Sequence, residues 1–264
     1  VTGTANVLSA AVLARGETVL RGAAREPEIV DLGRLLCKMG ARIDGLGTST
    51  LQVRGVEQLG GARHRIIPDR IEAATLALAI AATGGTAEIT GPDPGHLTAV
   101  LDRLADARIE VVARDDRIGI AAPRPPRPCG IAAEPYPGVP SDVQAQWIAL
   151  MTLASGRSVV SDRVFPHRFA HVPELVRMGA QIRLASGTAI VQGVGHLTGA
   201  TVTASDLRAS AALVIAGLAA RGQHEPIVSA TSVAQLDETL GAASVALSPE
   251  AIAILDRASA ATGG

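Results

Sequence analysis

The chain has 264 residues and a formal net charge of −1, too balanced for a surface built mainly to hold nucleic acid. Hydrophobic residues make up 47% and charged residues 19%, which excludes wholesale disorder. The longest apolar stretches, such as residues 209–220, run to about a dozen residues where a membrane span needs roughly 20, and four aromatic residues (Tyr136, Trp147, Phe165, Phe169) offer no stacking platform for bases or sugars.

Residues 2–16 (TGTANVLSAAVLARG) open on hydroxyl side chains, continue as an Ala-rich apolar run and stop at glycine, the pattern of a closely packed helix. A short β-type run follows at 18–20, then a more amphipathic helix over 27–39, with Pro27 where a helix start tolerates it. Strands at 41–43 and 51–53, with Gly47 at their turn, close the unit. The order then recurs. An Ala-rich helix is predicted over 69–85, a strand over 86–90 and an amphipathic helix over 96–105. The third passage has a helix over 142–156, a strand over 158–161, a helix over 172–178 with Pro173 near its start, and strands at 181–184 and 189–192 around Gly187. A fourth Ala-rich helix, 206–222, begins the next. Met39-Gly40-Ala41 and Met178-Gly179-Ala180 end two of the amphipathic helices with the same wording. The prediction is an α/β protein of stacked β-α-β-α-β-β modules with a period of roughly 65–73 residues. The proline-rich stretch 123–140 reads as a stiff connector or an ordinary surface loop between modules.

The two cysteines, Cys37 and Cys129, give neither a disulfide framework nor zinc spacing, and they point to a reducing, cytoplasmic setting without a metal site. Cys37, close to Leu36 and Met39, reads as a buried apolar filler. Lys38 is the single lysine, and a Gly-Lys-Ser/Thr phosphate loop is absent. No Met precedes Val1 and no charged-then-apolar leader opens the chain, so its start is expected to be a processed or a cut end.

Five segments carry a family resemblance: AAREPEIVDL (23–32), IPDRIE (67–72), YPGVPSDVQAQ (136–146), FAHVPEL (169–175) and DLRAS (206–210). In collinear order from Val1 to about residue 222, the chain resembles the UDP-N-acetylglucosamine enolpyruvyl transferases, which make a peptidoglycan precursor. The resemblance implies an inside-out α/β barrel of two domains, each of three βαβαββ units, here incomplete. On that basis residues 1–67 are the last unit of one domain, 68–222 two units of the other, and 223–264 an atypical tail. It implies phosphoenolpyruvate and UDP-N-acetylglucosamine as substrates, no metal or organic cofactor, no nucleic acid and no membrane.

The implied chemistry adds a sugar hydroxyl to the enol carbon of phosphoenolpyruvate, protonates the methylene and expels phosphate. A carboxylate must take or orient the hydroxyl proton, and cations must neutralise the phosphate and carboxylate of the donor. By resemblance Asp142 is the catalytic carboxylate; the plainer reading is a helix N-cap. Val1, Thr2 and Gly3 match a nucleotide-contacting stretch, and Val164 a nucleotide-sugar contact that would otherwise pass for a strand residue. Arg70, Arg168 and Arg208 match cleft arginines, each of which could equally serve in a surface or inter-domain ion pair. Asp206 holds an arginine or caps a helix, and His171 at a helix start is structural.

The departures matter as much. The family's proton-donating cysteine loop, its lysine-asparagine pair and two substrate arginines would precede Val1, and Cys129 does not match that loop. Pro166 and His167 stand where the family usually has Glu-Asn, and no glycine follows Asp106. The isolated chain is therefore expected to be catalytically weak or dead, with the missing half supplied upstream or by a partner chain. A non-catalytic nucleotide-sugar-binding or structural remnant is the alternative; a sister activity on shikimate phosphate is opposed by the wording around Asp142 and Pro173. From residue 226 (PIVSATSVAQLDE) the tail resembles the C-terminal segment of aldo-keto reductases, without the rest of that family's catalytic set, and residues 233–241 could form an amphipathic helix.

Overall fold

The structure, a computed structural model, describes residues 1–122, 125–204 and 206–220. The aldo-keto-like segment and the helix expected over 233–241 lie outside the described residues.

The modules are α1 (Thr2–Ala11), β1 (Glu17–Arg21), α2 (Pro27–Lys38), β2 (Arg42–Asp44) and β3 (Thr50–Arg54); then α3 (Arg70–Thr83), β4 (Thr86–Thr90), α4 (Thr98–Asp106), β5 (Glu110–Arg114) and β6 (Arg117–Ala121). The third is β7 (Ile131–Ala133), α5 (Gln144–Met151), β8 (Arg157–Asp162), α6 (Val172–Arg177), β9 (Gln181–Ala185) and β10 (Thr188–Gln192), followed by α7 (Leu207–Ala219). Each module builds its own sheet in the same order: β1-β3-β2, β4-β6-β5 and β7-β8-β10-β9. The last strand returns antiparallel between its two predecessors, which are joined by the amphipathic helix. That middle strand buries alternate residues, Leu51 and Val53 in β3, Ile118 and Ile120 in β6, Ala189 and Val191 in β10, because successive side chains face opposite sides.

The Ala-rich helices α3, α5 and α7 pack on one another and, in the second and third modules, against their own sheets. Alanine on several faces lets the backbones approach closely, and every residue of α5 is buried. The result is an α/β arrangement with these helices inside and the sheets outside. The hydrophobic core falls into two clusters, one from Leu8 to Val53 and one from Ala73 to Ala220. Residues 55–69 run between them without helix or strand.

Four expectations need correction. The first helix stops at Ala11, not at residue 16; residues 12–16 turn, and Gly16 ends them at a φ of +89°. The proline-rich stretch is no mere connector: it holds β7, paired parallel to β8 as an outer strand of the sheet, where prolines on either side cost no ladder bonds. The helix expected from 142 starts at Gln144, after a 3-10 turn over Ser141–Val143, so the Asp142 side chain does not cap it. Cys37 is exposed: the buried stripe of α2 includes Ile29, Gly33 and Leu36, and the next position turns about 100° away from it.

The three amphipathic helices end alike. Ala41 donates to the Leu36 carbonyl, Ile109 to Leu104 and Ala180 to Leu175, at 2.9, 3.0 and 3.0 Å, the six-to-one bond of a Schellman stop. The left-handed residue inside each stop is Gly40, Arg108 and Gly179. Arg108, at φ +62°, occupies the position where the echo supplies glycine elsewhere. Arg108→Gly is expected to stabilise the protein by about 0.5–1 kcal/mol, the strain relieved less the extra freedom of the unfolded chain. Thermal denaturation tests this; an unchanged or lower melting temperature contradicts it.

Candidate functional site

The site is assembled from the 3-10 turn before α5, the loop after β8 and the first turn of α7. Asp206 caps α7: its carboxylate accepts the backbone N–H groups of Arg208 and Ala209 at 2.9 and 3.0 Å. The cap fixes the start of the helix that delivers Arg208. The Arg208 Nε and Nη2 reach Asp142 Oδ1 at 2.6 and 2.5 Å, a fork on one carboxylate oxygen. Arg168 Nη1 lies 3.6 Å from the same oxygen. Among the described residues no protein group bonds Asp142 Oδ2, and the side chain is 35% exposed. Asp142 is thus held by cations at one oxygen and open at the other.

A second layer fixes Arg168. Its guanidinium lies 3.8 Å from the centre of the Phe165 ring and donates to Ser141 Oγ at 3.2 Å. The Ser141 hydroxyl donates to Asp162, whose other oxygen accepts the backbone N–H groups of Val164 and Phe165 at 2.9 and 2.7 Å. Asp162 and Ser141 are buried. One carboxylate at the end of β8 therefore shapes the turn that carries Val164 and Phe165, and through Ser141 it sets Arg168. The sequence reading gave Asp162, Ser141 and Phe165 no role. A local signal existed: Asp at a strand end, followed by residues whose N–H groups it can accept, is an Asx-turn pattern.

His171, at the N-cap position of α6, is 2% exposed, and its Nε2 has no partner among the described residues. Burial holds its pKa down to about 4, against an opposing pull from the Asp206 charge, so the ring is neutral at pH 7. Partial burial raises the Asp206 pKa, but the N–H groups of Ala209 and Arg208, with His171 and the Arg208 cation, outweigh it and hold the carboxyl below its ordinary value.

Val164 borders the site, 36% exposed. Val1, Thr2 and Gly3 open α1 on the surface, and a Cβ added at Gly3 meets open space. Arg70 lies elsewhere. Its guanidinium forks onto Glu28 at 3.1 and 3.0 Å and stacks over Tyr136 at 5.7 Å, with the residue 7% exposed. Arg25 donates to the Tyr136 carbonyl at 2.8 Å beside it. Arg70 thus occupies an ion pair between the two cores, the plainer of its two readings. Cys129 is half-buried; burial raises its thiol pKa more than Arg103 lowers it, the reverse of an activated thiol. Among the described residues no group of three His, Cys, Asp or Glu side chains is placed to hold a metal, and no helix is long and apolar enough to cross a membrane.

Comparison with known proteins gives a consistent result. The profile of the family EPSP synthase (3-phosphoshikimate 1-carboxyvinyltransferase) matches residues 1–239. A UDP-N-acetylglucosamine 1-carboxyvinyltransferase from Geobacter metallireducens is 51% identical over 223 residues, 84% of this chain and 54% of that protein. One from Koribacter versatilis is also 51% identical over 223 residues, 52% of its own length. The crystal structure of the enolpyruvyl transferase NikO from Streptomyces tendae matches with a TM-score of 0.71 at 28% identity, over 83% of this chain and 53% of that one. The chain spans about half the length of the relatives it matches. With a family profile matching most of its length and a solved enolpyruvyl transferase sharing its fold, the chain belongs to the EPSP synthase family.

Proposed function

We propose that the chain carries one half of a site that moves the enolpyruvyl group of phosphoenolpyruvate to the sugar hydroxyl of UDP-N-acetylglucosamine, a step of peptidoglycan precursor synthesis in the cytoplasm. The names of its half-identical relatives support the substrate class. The observation that carries the chemistry is Asp142, pinned at Oδ1 by Arg208 and open at Oδ2.

In this reading Asp142 Oδ2 orients the acceptor hydroxyl and takes its proton as the oxygen bonds to the enol carbon. Arg208 holds the carboxylate in place beside Arg168, and both arginines turn their remaining N–H groups toward the donor's phosphate and carboxylate. A proton reaches the methylene from an acid outside the described residues; the carbon–oxygen bond to phosphate then breaks as the new methyl group gives up a proton, which restores the carbon–carbon double bond of the enolpyruvyl ether. Val164 lies against the sugar, and Val1, Thr2 and Gly3 contact the nucleotide. Arg70 serves as a tie between residues 1–67 and 68–222, which we assign to two domains on the strength of the two cores. The reaction needs no organic cofactor, and the complementary half comes from an upstream segment or a partner chain.

Calorimetric titration of the chain with UDP-N-acetylglucosamine tests the reading. Weak but saturable heat is expected, with no phosphate released when phosphoenolpyruvate is added. Absence of heat up to millimolar ligand sinks the substrate assignment; robust turnover by the chain alone shows that the acid lies within it.

A further inference from the structure

One helix of the larger core keeps a bare apolar face. α3 packs against β4 and β6 and α5 against β8 and β10, whereas α7 packs on α5, α3 and α6, and no strand follows it among the described residues. Its outer side carries Leu207, Val214 and Leu218, 80%, 62% and 60% exposed, while its other side is buried. At about 100° per residue these three side chains fall within about 40° of one another and form one stripe along the helix. A single exposed leucine needs no explanation; an aligned apolar stripe marks a surface that something covers.

The repeats within the molecule show what covers such a face. β1, β4 and β8 begin at Glu17, Thr86 and Arg157, within six residues of the ends of α1, α3 and α5, and each packs on the helix it follows. The chain leaves α7 at Ala220 in an extended conformation, next to the Leu218 end of the stripe. A strand-length run begun at the same interval takes in Ile227 and Val228. Val233, Leu236 and Leu240 then recur at i, i+3 and i+7, and Leu240-Gly241-Ala242 repeats the wording that follows α2 and α6. The family profile likewise runs on to residue 239, past the last described residue.

We propose that residues 223–242 of the same chain dock on the Leu207, Val214 and Leu218 stripe as the opening of a fourth module, with Ile227 and Val228 against its Val214 and Leu218 end. The docked segment braces the helix whose first turn carries Arg208. A second copy of the chain or an upstream segment could also lie on the stripe, but the tail is already tethered at its end, so closing the contact costs little chain entropy. The proposal is independent of the enolpyruvyl transfer reading.

Hydrogen exchange of the full chain, read by mass spectrometry on peptides covering residues 226–240, tests the assignment against a synthetic peptide of residues 221–264. Those amides are expected to exchange at least about tenfold slower in the full chain than in the peptide. Val214→Asp combined with Leu218→Asp, both on the exposed side of α7, is expected to return them to the peptide's rate while α5 stays protected. Exchange at the peptide's rate in the wild type overturns the proposal. So does protection that survives in the folded double variant, which places the segment elsewhere. A benzophenone side chain incorporated at position 214 gives a second reading that needs no folded double variant: light is expected to join it to residues 223–242 of the same chain. Cross-links that join two copies, or that miss this segment, overturn the proposal.

Discussion

Replacing Asp142 with alanine is expected to weaken UDP-N-acetylglucosamine binding at least about tenfold, while binding of inorganic phosphate stays equal or tightens. A charge-assisted hydrogen bond contributes about 1.5–3 kcal/mol, and about 1.4 kcal/mol is already tenfold in affinity. The opposite sign for phosphate follows from the geometry: the carboxylate occupies the Arg208 fork and lies 3.6 Å from Arg168, so its removal frees two cations at one place. Calorimetry with both ligands on the same two proteins reads the split. If Asp142→Ala leaves sugar-nucleotide binding untouched, Asp142 serves only to hold the arginines, and the chain is a structural relative of the enzymes it resembles. If both ligands weaken together, the change has disturbed the turn at 141–143 as a whole. Asp142→Asn separates shape from charge, keeping the side chain's outline while removing its capacity to take a proton.

The second large effect is on stability. His171 titrates near 6.5 when free and near 4 in its buried place. Between those values the unfolded chain binds the proton and the folded one refuses it. The folded state is therefore at full advantage above pH 6.5 and loses stability as pH falls toward 4. At about 1.4 kcal/mol per pH unit the loss reaches about 3 kcal/mol, a large part of the margin that holds a domain of this kind together. Denaturant titrations of wild type and His171→Gln at pH 7 and pH 4 isolate this from the carboxylates, which both proteins share. The wild type is expected to lose about 3 kcal/mol more than the variant; equal losses would mean that the ring is protonated in the folded state. A charged ring beside Asp206 would also compete for the carboxylate that caps α7, so acid should loosen the turn that carries Arg208 before the core melts.

Much of the architecture is legible because it rests on local rules. Asp69 and Asp206 stand before Ala-rich runs and do cap them, Asp69 accepting the N–H groups of Ile71 and Glu72 at 2.7 and 3.2 Å. Pro27 opens α2, and the Met-Gly-Ala echo marks two of the three Schellman stops. Asp142 shows where such rules end. It precedes an Ala-rich run as Asp69 and Asp206 do, yet its carboxylate turns to an arginine 66 positions away. Arg70 and Arg208 both follow an aspartate at a helix start, but one meets Glu28 and the other Asp142. Their positions in the first turn differ by one residue, which rotates the side chain by about 100° around the helix.

From its amino acids alone this protein fixes the repeating module and the ends of most helices. These follow from the period of apolar side chains and from hydrogen bonds spanning a few residues. Only the folded molecule decides which aspartate is a cap and which faces a pair of arginines, that Asp162 and Ser141 stand behind Arg168, and that Cys37 is bare. Those outcomes depend on groups far apart in the chain brought within about 3 Å, and at that distance hydrogen-bond geometry and desolvation, not composition, settle what each side chain can do.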